Sequence, residues 1–443
     1  MSQYIINGGT PLCGEVFIRG AKNASYKQII ASMLTNEPVE LINIPQISDV
    51  RITASIASHL GAKINEIGEH GITIQTQNIT SSEIPSGTGE KSRTSFIFTG
   101  PLLTRVGQIT FPSPGGDKLG ERPLNRLFAC LKQMNVEVIP NENSYTLKTG
   151  GLIGTNYTFP KPSHTATEVI LMTAVMAKGE TIIRNAAIEP EIDDLIELLN
   201  LMGSKIKRDK EIPSTIYISG VSKLHGATHQ IISDRNEAVT FACAALSTRG
   251  SISILRINPH TISTFLKIIE KMGAKTNWGK DEVLISWVKP LMATSIETEP
   301  EPGFMTDWQA AFSLVLTQAV GVSSVIERVF PNRFQHIKLL NQMGAKTKFF
   351  QPEINNPSNY YHFNPESDKP EYFHGVKIYG LSKLLPTKLV VSDLRAGATS
   401  TLAALTAQGK STIEGVEFIE RGYEKLAERL KSLGADIKYI KTK

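Results

Sequence analysis

LGAKI at 60–64, MNVEV at 134–138, MGSKI at 202–206, MGAKT at 272–276 and again at 343–347, and LGADI at 433–437 are variants of one phrase. Their marked Gly or Asn positions, 61, 135, 203, 273, 344 and 434, are 74, 68, 70, 71 and 90 residues apart. A recurring step of that size means one supersecondary unit used six times. Four residues before each mark stand Ala57, Leu131, Leu199, Ile269, Leu340 and Leu430, and one residue before it Leu60, Met134, Met202, Met272, Met343 and Leu433. That spacing is the core-facing stripe of an amphipathic helix. The Gly or Asn then supplies a left-handed helix cap, and a strand such as AKINEI or ADIKYI follows.

A second, more apolar segment precedes each of these helices: KQIIASML, FIFTGPLL, TEVILMTAVM, EAVTFACAALS, WQAAFSLVLTQAV and TSTLAALTA. Helices apolar almost all round are buried ones. In five of the six repeats a glycine (Gly107, Gly179, Gly250, Gly321 or Gly409) closes the segment, and strands such as ETIIRNA or SISILRI come next. The expected architecture is α/β: two pseudo-threefold domains of three repeats each, helices inside and sheets outside, with a cleft between the domains. The long step of 90 residues is expected to hold an insertion near 350–372, polar and proline-bearing, read as a surface loop.

Of the 443 residues, 41% are hydrophobic and 20% charged, the balance of a globular protein, and the formal net charge of +5 is mild. It suits small anionic ligands, and no polybasic run points to nucleic acid or a membrane surface. Three cysteines (Cys13, Cys130, Cys243) without CxxC spacing fit a reducing cytoplasm, and no His/Cys/Asp cluster has metal-ligand spacing. The start MSQYIINGG lacks the pattern of a signal peptide, and no apolar run is long enough to span a bilayer. A cytoplasmic protein, monomeric or weakly self-associating, is expected.

Cations stand where helix dipoles disfavour them. Lys22, Arg93, Arg235 and Arg395 precede the apolar helices of repeats one, two, four and six, and Arg122, Arg333 and Arg421 lie near the starts of three second helices. Either they converge on a bound polyanion together with the helix N-termini, or they pair with neighbours such as Asp234, Asp393 and Glu420. SPGGDKLGERP at 113–123 carries Asp117 and Lys118 at the tip of a glycine loop, which suits either a simple turn or a water-excluding lid with an acid at its tip. Asp307, in FMTDWQA, suits either a helix cap or a general base.

These segments resemble the UDP-N-acetylglucosamine 1-carboxyvinyltransferases, a family of enolpyruvyl transferases. The likeness runs nearly the full length through GAKNA at 20–24, PGGDKLGERP at 114–123, EPEI at 189–192, TDWQAAF at 306–312, NRFQH at 332–336, SDLRAGA at 392–398 and RGYE at 421–424. It implies an inside-out α/β barrel pair, with 22–229 as one domain and 1–21 plus 230–443 as the other. It also implies two small-molecule partners, phosphoenolpyruvate and a UDP-sugar, with no cofactor and no metal. Lys22, Arg122 and Arg421 match positions that hold the phosphate of phosphoenolpyruvate; Arg333 and Arg395 match arginines near its carboxylate and the closing of the cleft. Asn23 and Arg93 match acceptor-facing positions, with Asn23 also close to phosphoenolpyruvate. The UDP-sugar is further assigned to Arg122, Pro123, Leu124, Asn125, Arg126, Lys161, Ser163, His164 and Val329. Asp307 matches the carboxylate near the sugar 3-hydroxyl, and Asp117, Asp307, Lys22 and Arg395 are the implied catalytic set. Asp117 replaces the usual loop Cys. A carboxylate is a far weaker nucleophile than a thiolate, so the resemblance implies resistance to fosfomycin, whose action depends on a thioether.

The acceptor half departs from the family pattern. RPLNRL at 122–127 puts Asn125 and Leu127 where an acid and a His are usual, KPSHTAT at 161–167 places His164 and Thr165 where small or apolar residues are usual, and Ser48 replaces an expected Lys. His164 is read either as a phosphate contact or, preferentially, as a helix cap. Two other readings stay open: transfer to another nucleotide or nucleotide sugar, and a catalytically silent nucleotide-binding paralogue. Shikimate 3-phosphate fits less well, because the GNAGTxxR and DEPLRxRP strings of that relative are missing.

Overall fold

The repeat phrase does what its residues dictate. All twelve marked helix positions, from Ala57 and Leu60 to Leu430 and Leu433, are buried, and Gly61, Asn135, Gly203, Gly273, Gly344 and Gly434 all have φ between +66° and +110°. Each supplies the left-handed residue that ends a helix and turns the chain into a strand. Gly434 isolates the backbone contribution, because a Cβ built there meets no atom within 4 Å while φ is +97°. Gly434→Ala should therefore cost about 1–2 kcal/mol from backbone strain alone. The measurement is a urea midpoint that falls at unchanged slope; an unmoved midpoint would count against the cap.

The computed structural model describes residues 2–89, 93–114, 119–120 and 123–441. The chain divides into two compact units, one built from 1–19, 117–122 and 233–443 and the other from 20–116 and 123–232. The divisions fall near Gly20 and Ser233, against 22 and 230 read from the sequence, and Leu119 and Gly120 group with the C-terminal unit. Each unit has its own apolar core.

In the C-terminal unit the inner helices are Arg235–Ser247, Gln309–Gln318 and Leu394–Thr406, and the three pack on one another. Every residue of Arg235–Ser247 is buried, as expected of a helix without a polar face. In the N-terminal unit the inner helices are Lys22–Ala31, Thr99–Val106 and His164–Ala174. The second is short because FIFTGPLL begins as a 3₁₀ stretch, Arg93–Phe98, before Thr99. Among the described residues no helix is long and apolar enough to cross a membrane.

Among the described residues six small sheets flank the helices, five of four strands and one of three. In three of the four-stranded sheets the strand that follows the inner helix pairs in parallel with one from before that helix and antiparallel with one from the hairpin that follows it. Three strands find partners far away in the sequence but within their own unit. Gln3–Gly8 inserts between Gly409–Glu414 and Asp436–Ile440, both antiparallel, and Cys13–Phe17 pairs in parallel with Ser251–Leu255. Likewise, Thr228–Gln230 pairs in parallel with Val39–Ile42 of repeat one. These pairings bind the first residues of the chain to the C-terminal unit. The 350–372 insertion is largely exposed, yet it is anchored rather than merely looped out. Arg328 Nη2 donates to the Tyr360 carbonyl at 2.9 Å, its guanidinium lies 4.0 Å from the Tyr360 ring centroid, and Tyr361 and Phe363 are buried.

Candidate active site

The expected cations do begin helices. Lys22 and Arg235 are the first residues of their inner helices, Arg395 is the second of its own, and Arg93 opens the 3₁₀ stretch. Arg333 stands two residues before the helix Gln335–Gln342, and Arg421 lies between the helices Val416–Ile419 and Leu426–Ser432. Arg235 departs from the polyanion reading. It is 1% exposed, ion-paired to Glu301 and set against the Trp308 ring, so it serves the core. Asp234 and Asp393 cap their own helices, accepting from Asn236 N and Glu237 N and from Ala396 N.

The C-terminal unit builds a cluster of charged side chains around Asp307. Its helix starts at Gln309, the N-cap position is Trp308, and no side chain caps it, so Asp307 is not a helix cap. Instead Arg333 Nη2 donates to Asp307 Oδ1 at 2.5 Å and Arg395 Nη2 donates to Oδ2 at 3.2 Å. Both arginines are buried, and a carboxylate shared by two guanidinium forks is held in one orientation. Arg395 Nη1 donates to the Tyr423 hydroxyl at 2.8 Å. Burial works to lower the pKa of Arg395, but Tyr423, Asp307 and Asp234 outweigh it and raise the value.

Beneath this pair lies Glu327, a buried acid the sequence reading missed. Its Oε2 accepts from Thr306 Oγ1 at 2.8 Å and Gln309 Nε2 at 2.9 Å, and its Oε1 accepts from the backbone N–H groups of Val329 and Phe330 at 2.8 and 2.9 Å. Burial raises its pKa, and these donors together with Arg333 oppose the rise. Glu327 thereby fixes both the turn that carries Asp307 and the segment that leads to Arg333. Asn332 N donates to the Leu119 carbonyl at 3.3 Å in the same neighbourhood, and a Cβ on Gly120 would lie 2.5 Å from Pro331. Asp117, Lys118 and Arg122 lie outside the described residues.

In the N-terminal unit the expected site residues stand at the starts of the inner helices. Lys22 Nζ lies 2.9 Å from Asp49 Oδ2, a buried acid in the first turn of the helix Ser48–His59, and Asn23 follows Lys22 half-buried. The Arg93 guanidinium rests 5.3 Å from the Phe96 ring centroid. Lys161, Ser163 and His164 are half-buried around the third inner helix, which Ser163 caps by accepting from Ala166 N at 3.4 Å. The capping role read for His164 thus belongs to its neighbour. His164 Nδ1 instead lies 3.1 Å from Lys27 Nζ, and Lys27 Nζ lies 2.5 Å from Glu168 Oε1. Against a charged Lys27, which only donates, His164 Nδ1 is the acceptor. Burial lowers the pKa of Lys27 and pushes Glu168 up to about 8, each opposing the other's shift.

Pro123 and Asn125 are exposed and Leu124 is half-buried, just before and at the start of the helix Asn125–Gln133. Burial lowers the pKa of Arg126 in its first turn. Leu127, one of the departures from the family pattern, is 2% exposed and belongs to the core. Val329 is half-buried with its N–H spent on Glu327.

The EPSP synthase (3-phosphoshikimate 1-carboxyvinyltransferase) family model matches residues 6–430. The UDP-N-acetylglucosamine 1-carboxyvinyltransferase of Koribacter versatilis is 36% identical over 444 residues, covering 99% of this chain and 97% of its own. That of Finegoldia magna is 38% identical over 432 residues, covering 97% and 96%. Among solved structures, the enolpyruvyl transferase NikO from Streptomyces tendae matches with a TM-score of 0.86 at 22% identity, covering all of both chains. EPSP synthase from Acinetobacter baumannii matches with a TM-score of 0.73 at 18% identity. At those identities the two structures speak to the fold, and both share it.

Proposed function

We propose, from the premise that this chain belongs to the enolpyruvyl (carboxyvinyl) transferase family and is an enzyme of that class, that it moves the enolpyruvyl group of phosphoenolpyruvate to the 3-hydroxyl of UDP-N-acetylglucosamine. Phosphate is the second product, and the reaction is the first step of peptidoglycan precursor synthesis in the cytoplasm. The names of the full-length relatives support the acceptor. The observation that carries the chemistry is the Asp307 carboxylate suspended between Arg333 and Arg395, an acid-base group set among cations suited to a polyanionic substrate.

The proposed course is addition followed by elimination. Asp117 donates a proton to C3 of phosphoenolpyruvate, C2 becomes electrophilic, and the acceptor oxygen bonds to C2 while Asp307 takes its hydroxyl proton. The resulting tetrahedral phospholactoyl adduct returns a C3 proton to the Asp117 carboxylate as its C–O bond to phosphate breaks. Lys22, Arg122 and Arg421 take up the charge of the departing phosphate, and Arg333 and Arg395 orient the carboxylate. Asn23, Arg93, Lys161, Ser163 and the 122–126 segment are assigned to the acceptor.

Phosphate release from phosphoenolpyruvate, followed across UDP-N-acetylglucosamine and other nucleotide sugars, tests the assignment directly. Release with none of them would leave the silent-paralogue reading standing. Asp117→Asn should abolish turnover while acceptor binding persists, and the unaltered enzyme should resist time-dependent inactivation by fosfomycin. Surviving turnover in the variant would remove Asp117 as the acid. A different nucleotide acceptor remains the second reading, favoured by His164, an imidazole where the family pattern has a small residue.

A further inference from the structure

Arg395 touches two side chains of very different kinds. Its Nη2 meets the charged Asp307, and its Nη1 meets the neutral hydroxyl of Tyr423 at 2.8 Å. Tyr423 is 2% exposed, and its hydroxyl lies 2.8 Å from Thr240 Oγ1 in the inner helix of repeat four. Thr240 in turn directs its hydroxyl at the Asn236 carbonyl, 2.9 Å away and one helical turn back.

These distances fix the direction of every proton. A guanidinium has donors only, so the Tyr423 oxygen accepts from Arg395. A carbonyl accepts only, so the Thr240 proton is committed to Asn236. The phenol must therefore donate to Thr240 Oγ1, and it retains its proton because burial raises its pKa, with Arg395 the chief opposing influence. Reversing any link would bury a donor without an acceptor.

We propose that Tyr423 and Thr240 are positioning residues that hold the Arg395 guanidinium in place for phosphoenolpyruvate, through this one-way chain of hydrogen bonds. The proposal rests on the assignment of Arg395 to that substrate. An incoming anion competes with Asp307 for the forks of Arg395, whereas it has no reason to displace a neutral phenol. When Asp307 turns toward the acceptor hydroxyl, Tyr423 is the contact that stays. The chain spans repeats four and six of the C-terminal unit, so helix packing sets the position of the guanidinium.

Steady-state kinetics with each substrate varied in turn, on enzyme checked for folding by circular dichroism, test the idea. Tyr423→Phe should raise KM for phosphoenolpyruvate by about ten- to a hundred-fold, the worth of one hydrogen bond to a charged group, and Thr240→Val, which removes a neutral one, by about two- to tenfold, with KM for UDP-N-acetylglucosamine little changed. Thr240→Ser should restore the wild-type value, and the double variant should be no worse than the poorer single one, because both act through one chain. If Tyr423→Phe does not fold, the Thr240→Val and Thr240→Ser pair decides. Wild-type KM for phosphoenolpyruvate in the valine and phenylalanine variants, or an equal rise for both substrates, overturns the proposal. Arg395→Met separates the two levels. An inactive methionine variant beside unaffected Tyr423 and Thr240 variants defeats the chain alone, while a fully active one defeats the assignment of Arg395 and the chain with it.

Discussion

Asp307→Asn is expected to lower kcat by about a hundred- to ten-thousand-fold, the usual worth of a positioned general base, while phosphoenolpyruvate binds as well as before or better. The two effects have opposite signs because Asp307 has two occupations. In the absence of substrate its oxygens fill forks of Arg333 and Arg395, 2.5 and 3.2 Å away. Those forks are also the ones assigned to an anionic substrate, so the carboxylate holds the place of its competitor. An amide of the same shape keeps the packing but surrenders the charge, and the arginines become easier to win. Affinity should therefore rise by roughly three- to ten-fold, on the scale of a partly screened ion pair. Equilibrium titration with phosphoenolpyruvate in the presence of acceptor, beside single-turnover rates, measures both numbers. A variant with near wild-type kcat would remove Asp307 as the base. A variant that binds phosphoenolpyruvate tenfold more weakly would show that the carboxylate organises the arginines rather than occupying them.

Most of the scaffold was readable because it is written locally. A helix stripe, a left-handed Gly or Asn and a following strand lie within about a dozen residues, and six copies of the phrase average out the exceptions. The expected helix-start cations are local too, and Lys22, Arg93, Arg333 and Arg395 stand where their positions implied. The misses share a cause: they depend on partners far apart in sequence. Glu168 sits in TEVILM and Lys27 in KQII, where each reads as an ordinary break in an apolar helix. Their meeting is a fact about which inner helix packs on which. The Tyr423–Thr240 contact joins residues from repeats six and four, and no spacing within a repeat announces it. His164 was misjudged more narrowly, and of the two readings open for Asp307 the capping one falls away. Ser163 takes the cap in one case and no side chain takes it in the other. The insertion of Gln3–Gly8 into the last sheet followed from family resemblance, because alternation alone does not name a strand's neighbour.

Lys27→Met should make the fall of stability between pH 5 and pH 8 steeper than in the unaltered enzyme. In the native enzyme Lys27 and Glu168 are fully buried within 2.5 Å of each other, and each opposes the shift that burial imposes on the other. Removing the ammonium leaves Glu168 with burial as its dominant influence, and Glu191 and Glu189 add to it. The folded-state pKa then stays at or above the value of about 8 it has beside Lys27, while the unfolded chain titrates near 4.5. A carboxyl whose pKa is raised by folding holds more protons folded than unfolded in that interval. The stability it allows is complete below the unfolded value and is lost as pH climbs through the folded one. The loss should reach about 3–5 kcal/mol near pH 8, in line with the cost of breaking a buried ion pair. His164 lies 3.5 Å from the same carboxylate, and as a protonated partner it can soften the effect only toward acid pH. Urea midpoints at pH 5 and pH 8 give the slope, and Lys27→Met combined with Glu168→Gln should flatten it again. A single variant whose midpoint ignores pH would mean that Glu168 finds water or another donor, and that the pair is not the closed unit its burial describes.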